Sequence, residues 1–211
     1  MKIFIPLLLL MFNVNIAAEA AQTITEDPNN VCPIKVGQSL PSLILQDVEG
    51  KPFDLNKAVA KQPTVLIFYR GSWCPYCNTH LGELKTIEGD LKKLGYQLLA
   101  LSPDLPKNLK QSVKQHEMAY ELVSDNQAKA AKALGLAFHV DDKLNDVYQG
   151  YNIDLNKASG QSHRLLPVPA AIVLDTSGTV KFVFFAPDYK VRISPRVLLA
   201  AAEAALPVDA Q

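Results

Sequence analysis

Thr64-Val65-Leu66-Ile67-Phe68-Tyr69 is an unbroken β-branched and aromatic run in the middle of the chain. A strand with one wet face alternates apolar and polar side chains, so a run without alternation reads as a strand covered on both faces. Arg70-Gly71-Ser72-Trp73 follows, then Cys74-Pro75-Tyr76-Cys77. Beyond the cysteines, Leu81, Leu84, Ile87, Leu91 and Leu94 recur at helical spacing and stop before Gly95. A buried strand therefore feeds a short loop and a helix, with two cysteines at the junction.

The rest of the chain repeats that alternation. Leu43-Ile44-Leu45 reads as a short strand, Val48-Glu49-Gly50-Lys51 as a turn and Tyr96 to Leu101 as a strand stopped by Ser102-Pro103-Asp104. Pro106 to His116 reads as a helix, Glu121-Leu122-Val123 as a strand, and Gln127 to Leu134 as a helix closed by Gly135. Phe138 to Leu166 is polar and without clear period, which predicts loop with room for one short helix. Ala171 to Leu174 and Thr179 to Phe185 are strands of a hairpin turning at Asp175-Thr176-Ser177-Gly178. Ser194 to Leu206 is a final helix with Pro195 in its first turn. The class is α/β, a mixed central sheet with helices on both faces. One domain spans 43–206, preceded by an extended polar segment, 21–42.

The first residues suit export. Lys2 carries a positive charge, Ile3 to Ile16 is apolar except at Asn13 and Asn15, and Ala18-Glu19-Ala20 supplies the small-x-small pattern of a cleavage site. A membrane-spanning helix wants about 20 apolar residues, so 1–20 is expected to be a cleaved signal peptide, with an uncleaved anchor as the alternative. The expected location is periplasmic or otherwise extracytoplasmic. The chain's 21 basic and 21 acidic residues balance, and nothing steers it to nucleic acid or an anionic membrane surface.

Three cysteines occur, Cys32, Cys74 and Cys77. A C-x-x-C pair closes too short a loop to restrict the unfolded chain much, so it reads as reactive rather than as a staple. At a helix N-terminus, free N–H groups and the macrodipole stabilise a thiolate, and Pro75 suits a first turn. Cys74 is the attacking thiolate in this reading, and Cys77, one turn on, is the resolving thiol. Other uses of the pair stay open: a structural disulfide, or copper or zinc binding with a distant histidine. Only His80 lies at a plausible metal spacing, and covalent haem attachment would need histidine where Asn78 stands.

These motifs resemble the thioredoxin-fold superfamily and, within it, the peroxiredoxin-like branch of the alkyl hydroperoxide reductase and thiol-specific antioxidant (AhpC/TSA) family. The resemblance rests on Val36 to Pro41, Phe68 to Cys77, Leu101-Ser102-Pro103-Asp104, Leu122 to Asp125, Leu166 to Ala171 and Asp188 to Arg192. It implies a thioredoxin-like fold and a thiol-dependent peroxidase without a cofactor, reduced by an external, thioredoxin-like dithiol. An exported thiol–disulfide oxidoreductase acting on protein disulfides is the alternative, and a homodimer is an open option. The resemblance also implies that Pro169 is a cis-proline opposite the redox cysteines.

The chain departs from the family's Pro-x-x-x-Thr-x-x-Cys pattern, with Ile67 and Gly71 at the Pro and Thr spacings, and Pro169 replaces the usual arginine before the Ala171 strand. Ser72 is then a candidate hydroxyl donor, and Arg70 or Arg164 a candidate thiolate partner, either equally a solvated charge. Cys32 is a further candidate, resolving Cys74 from a flexible arm, pairing with another chain, or simply free. Tyr69 and Trp73 read as a collar around the thiolate or as core. His116, His139 and His163 read as surface or loop residues. Asp188, Tyr189, Lys190 and Arg192 read as a pocket rim or a solvated turn.

Overall fold

The computed structural model describes residues 24–116 and 120–206. The expected signal peptide lies outside them. The buried run forms β3 (Thr64–Phe68), with every residue buried. It lies parallel to β4 (Gln97–Ser102) and antiparallel to β8 (Ala170–Leu174), so that Phe68 faces Leu101 on one side and Ala170 on the other. β5 (Glu121–Ser124) extends the parallel part. β9 (Val180–Phe185) closes one edge through the expected hairpin. The other edge is a short hairpin of β1 (Ile44–Gln46) and β2 (Pro52–Asp54). The strand order is β2-β1-β5-β4-β3-β8-β9.

Alternation along the strands divides the core in two. Leu66, Phe68, Leu99, Leu101, Ile172 and Leu174 belong to one cluster, covered by α1 (Leu55–Lys61) and α4 (Lys129–Ala133). Val65, Ile67, Leu98, Ala100, Ala171 and Val173 belong to the other, covered by α2 (Pro75–Lys93), α3 (Pro106–His116) and α7 (Pro195–Ala204). Each of these leucines or valines contributes roughly 1.5–3 kcal/mol by leaving water. Covering both faces accounts for the absence of polar alternation in Thr64 to Tyr69.

The structure corrects the reading of Phe138 to Leu166. That segment holds two helices, α5 (Asp142–Gly150) and α6 (Leu155–Ser159), flanked by the antiparallel pair β6 (Ala137–His139) and β7 (Leu165–Pro167). The signals are caps rather than an apolar stripe. Asp141 accepts from Leu144 N at 2.7 Å and Asp154 from Lys157 N at 2.9 Å, and Gly160 closes α6 at φ 69°. α5 has no fully buried residue and packs through the half-buried Leu144 and Tyr148, so periodicity alone does not reveal it.

The segment before residue 43 is fastened to the domain rather than free. Ile34 N donates to Leu134 O at 2.9 Å, Gly37 N to Val180 O at 2.9 Å and Leu40 N to Gly178 O at 2.8 Å. Pro169 corrects a second expectation: no peptide bond among the described residues is cis, so Val168–Pro169 is trans. Trans is the lower-energy isomer even before proline, and the segment is held by Val168 N donating to Leu136 O and Ala186 N to Pro169 O. A proline at a strand start has no ladder N–H to lose.

Candidate redox active site

The loop between β3 and α2 is held at each residue. Tyr69 N donates to Leu101 O at 3.0 Å, carrying the β3–β4 pairing one step past the strand. Gly71 then adopts φ 148°, a conformation that side chains disfavour. A Cβ there would meet the Trp73 indole, 2.9 Å from Cδ1 and closer still to Nε1. Ser72 is clamped from two directions, its N–H donating to Asp104 Oδ2 at 2.6 Å and its carbonyl accepting from Asn78 Nδ2 at 2.9 Å. Asp104 is fully buried, and burial raises its carboxyl to about 6 against the lowering effect of the Ser72 hydrogen bonds.

Cys74 is the N-cap of α2 and makes no side-chain cap bond. Cys77 N and Asn78 N both donate to Cys74 O at 3.1 Å, so the two cysteines share the first turn. Both thiols are free, and each residue is only 1% exposed. Each sulfur has its own guanidinium. Arg70 Nη1 donates to Cys74 Sγ at 3.8 Å, and Arg192 Nη2 to Cys77 Sγ at 3.3 Å.

Arg70 is not a solvated charge, being 3% exposed. Among the described residues no carboxylate pairs with it. Its guanidinium lies 4.2 Å from the Tyr189 ring centroid, 4.9 Å from Trp73 and 5.3 Å from Tyr148, and Nη2 donates to the Tyr148 hydroxyl. Aromatic faces and a nearby thiolate together offset the desolvation of a buried cation.

The environment separates the two thiols. The Cys77 thiol hydrogen bond pulls Cys74 down to about 6, against burial, and Arg70 and Arg192 add to the pull. Cys77 moves the opposite way, raised by burial and then by the Cys74 charge beside it. The surroundings therefore favour ionising Cys74 ahead of Cys77. Iodoacetamide alkylation of Cys74 is therefore expected to rise with pH through about 6 and then level off. A rate still climbing through pH 8 would show that the thiolate is not stabilised, because alkylation consumes the thiolate.

The other candidates fall elsewhere. Ser72 gives its N–H to Asp104 Oδ2, and among the described residues no hydrogen bond joins its side chain to either cysteine. Arg164 pairs with Asp142 at 2.6 Å and bonds to neither cysteine. Cys32 is exposed on the fastened lead-in. Pro169 is buried one residue before Ala170, which pairs with Phe68, placing it at the site's end of the sheet. Trp73 forms a collar with Tyr148, centroids 5.7 Å apart, whereas Tyr69 is core. His80 is buried on α2, with Nε2 donating to Ile193 O at 3.1 Å, and burial followed by Arg192 lowers it to about 4. His163 spans Asn126 O and Leu165 N, and His139 lies 3.8 Å from Glu26. Among the described residues no three His, Cys, Asp or Glu side chains gather as a metal site. Tyr148 had no signal in the sequence reading, since it lies in the segment read as loop.

A profile of the AhpC/TSA family matches residues 36–183, a stretch holding both cysteines of the pair, Arg70, Asp104 and Tyr148. The chain belongs to the AhpC/TSA family. It is 30% identical over 104 residues to a peroxiredoxin bcp of Haemophilus influenzae, covering 49% of this chain and 66% of that one. It is 30% identical over 103 residues to the chloroplastic peroxiredoxin Q of Populus jackii, covering 49% and 48%. The matched stretch thus spans between about half and two thirds of these relatives' length. The crystal structure of reduced Prx3 from Vibrio vulnificus superposes with a TM-score of 0.66 at 20% identity, covering 81% of this chain and 99% of that one. The fold is thioredoxin-like. For an AhpC/TSA chain, Gly71 at the Thr spacing has a local cause: its φ and the overlying Trp73 leave no room for a side chain.

Proposed function

We propose that this protein is a thiol-dependent peroxidase that reduces hydroperoxides through Cys74 and Cys77. One observation carries the reading: the Cys74 sulfur is buried beside the Arg70 guanidinium with Cys77 on the same helical turn, surroundings that lower the Cys74 thiol to about 6 and raise Cys77. The Cys74 thiolate attacks the terminal oxygen of ROOH and the O–O bond breaks. The electron pair leaves with the RO oxygen, which takes up the proton Cys74 had released, giving Cys74 sulfenic acid and ROH. Cys77 sulfur then attacks the sulfenic sulfur, and water leaves as the disulfide forms. An external dithiol of the thioredoxin-like class reduces the disulfide. The named relatives support peroxide as the oxidant.

Burial also argues against a protein disulfide as the first substrate. With Cys74 1% exposed under Arg70, Trp73, Tyr148 and Tyr189, a small hydroperoxide reaches the sulfur more readily than a folded partner does. Mixing reduced protein with hydrogen peroxide or an organic hydroperoxide in a stopped-flow instrument tests this. Oxidation of Cys74 is expected to outrun an unstructured thiol at equal pH by more than 100-fold, within the range of about 10²–10⁴ that positioned acid–base groups supply. Rates no better than the unstructured thiol, together with brisk reduction of insulin disulfides, would transfer the assignment to the oxidoreductase reading.

A further inference from the structure

Breaking an O–O bond needs an acid as well as a nucleophile. With hydrogen peroxide the departing group is hydroxide, the conjugate base of water with pKa about 15.7, so a hydrogen-bond donor that can also pass a proton is worth much at the moment of cleavage. Most groups around Cys74 are committed. Ser72 gives its N–H to Asp104, and its hydroxyl bonds to neither Arg70 nor Cys74 among the described residues. The Cys77 proton is on the Cys74 sulfur itself. His80 is held by Ile193 O, and Tyr69 is sealed in the core. Arg70 donates hydrogen bonds and does not give up a proton.

Tyr148 remains. Its oxygen accepts from Arg70 Nη2, while Nη1 of the same planar group reaches Cys74 Sγ at 3.8 Å. Because the Tyr148 oxygen accepts from the guanidinium, its own O–H points elsewhere, and among the described residues nothing accepts it. The phenol is half-buried, so solvent can restore a proton. Burial raises its pKa, against the Arg70 charge, which keeps it a neutral donor. The ring is held independently by the tilted contact with Trp73 and by the Arg70 cation.

We infer that Tyr148 is a catalytic residue of the peroxide reaction, its hydroxyl hydrogen-bonding the departing oxygen and passing its proton to it as the Cys74 sulfur attacks. The inference rests on the peroxidase reading above. The tyrosinate then recovers a proton from water, equivalent to the one Cys74 released in forming its thiolate. The sum is thiol plus ROOH giving sulfenic acid plus ROH.

Tyr148→Phe keeps the ring over Arg70 and against Trp73 and removes only the hydroxyl. The full chain, reduced, is mixed with three reagents. Hydrogen peroxide needs its leaving group protonated, peracetic acid expels a carboxylate that does not, and iodoacetamide expels iodide. The variant is expected to lose on the order of 100-fold with hydrogen peroxide. It is expected to stay within a few-fold of wild type with the other two and to keep the same alkylation midpoint. An equal loss with all three reagents, or a raised midpoint, would mean that the hydroxyl only steadies Arg70, which overturns the inference. Equal rates for variant and wild type with hydrogen peroxide also overturn it. A wild type no faster than an unstructured thiol sinks the peroxidase reading itself, and this inference with it.

Discussion

Cys74→Ser is expected to abolish hydroperoxide consumption, while Cys77→Ser is expected to oxidise once and stop at the sulfenic acid. The serine hydroxyl at position 74 has no ionised form near neutrality, and no amount of help from Arg70 makes it a comparable nucleophile. The loss should exceed about 10³-fold, as is usual when a covalent nucleophile is removed. Cys77→Ser acts differently, because the Cys77 thiol hydrogen bond is the largest influence holding Cys74 down. A serine hydroxyl can donate in its place, and Arg70 and Arg192 remain, so the first oxidation should slow by less than about 10-fold. What is lost is the resolving step. The sulfenic acid should be trapped by a cyclic diketone and seen by mass spectrometry in Cys77→Ser, whereas wild type shows a Cys74–Cys77 disulfide. A Cys32–Cys74 disulfide in the variant would instead give Cys32 the resolving role, across a site in which it is exposed and bonded to neither sulfur.

Gly71→Ala should damage both stability and chemistry although it adds one methyl group. At φ 148° the position is strained for any side chain, and the new Cβ falls on the Trp73 indole, 2.9 Å from Cδ1 and 3.0 Å from Cε2. Relief requires the ring to swing away from Tyr148 and from the Arg70 guanidinium. Backbone strain costs about 1–3 kcal/mol and overpacking a similar amount, so urea denaturation should show a loss of about 2–5 kcal/mol. Arg70 would lose part of its cage, and the alkylation midpoint of Cys74 should move up from about 6 toward the ordinary thiol range. Unchanged stability with an unchanged midpoint would show that Trp73 can leave freely and does not brace the site.

Much of this was legible in the chain because local signals carry it. Thr64 to Tyr69 became β3 with one residue of difference, and the residues from Pro106 to His116 became α3 as read. The hairpin turn at Asp175 and the last helix with Pro195 in its first turn were equally plain, although Ser194, read as the first helical residue, is its cap and accepts from Val197 N at 3.3 Å. Helix α1 was missed although Asp54 caps it, because seven residues with two buried side chains, Leu55 and Val59, give too little periodicity. The same weakness hid α5, whose inward face is only half-buried.

By itself the sequence determined a strand buried on both faces, a helix after it and a C-x-x-C pair between them, since run, spacing and cap all lie within one short segment. Which groups surround the thiolate was decided only by the tertiary structure. Arg70 was within reach by sequence, but Tyr148, Tyr189 and Arg192 arrive from α5 and from the segment between β9 and α7. Arg164, the alternative arginine, is drawn off to Asp142. The physical reason is that a side chain's partners across the sheet depend on strand order and on how each crossover packs, and no local pattern of residues encodes that distance. The redox junction was therefore written in the chain, and its electrostatics only in the fold.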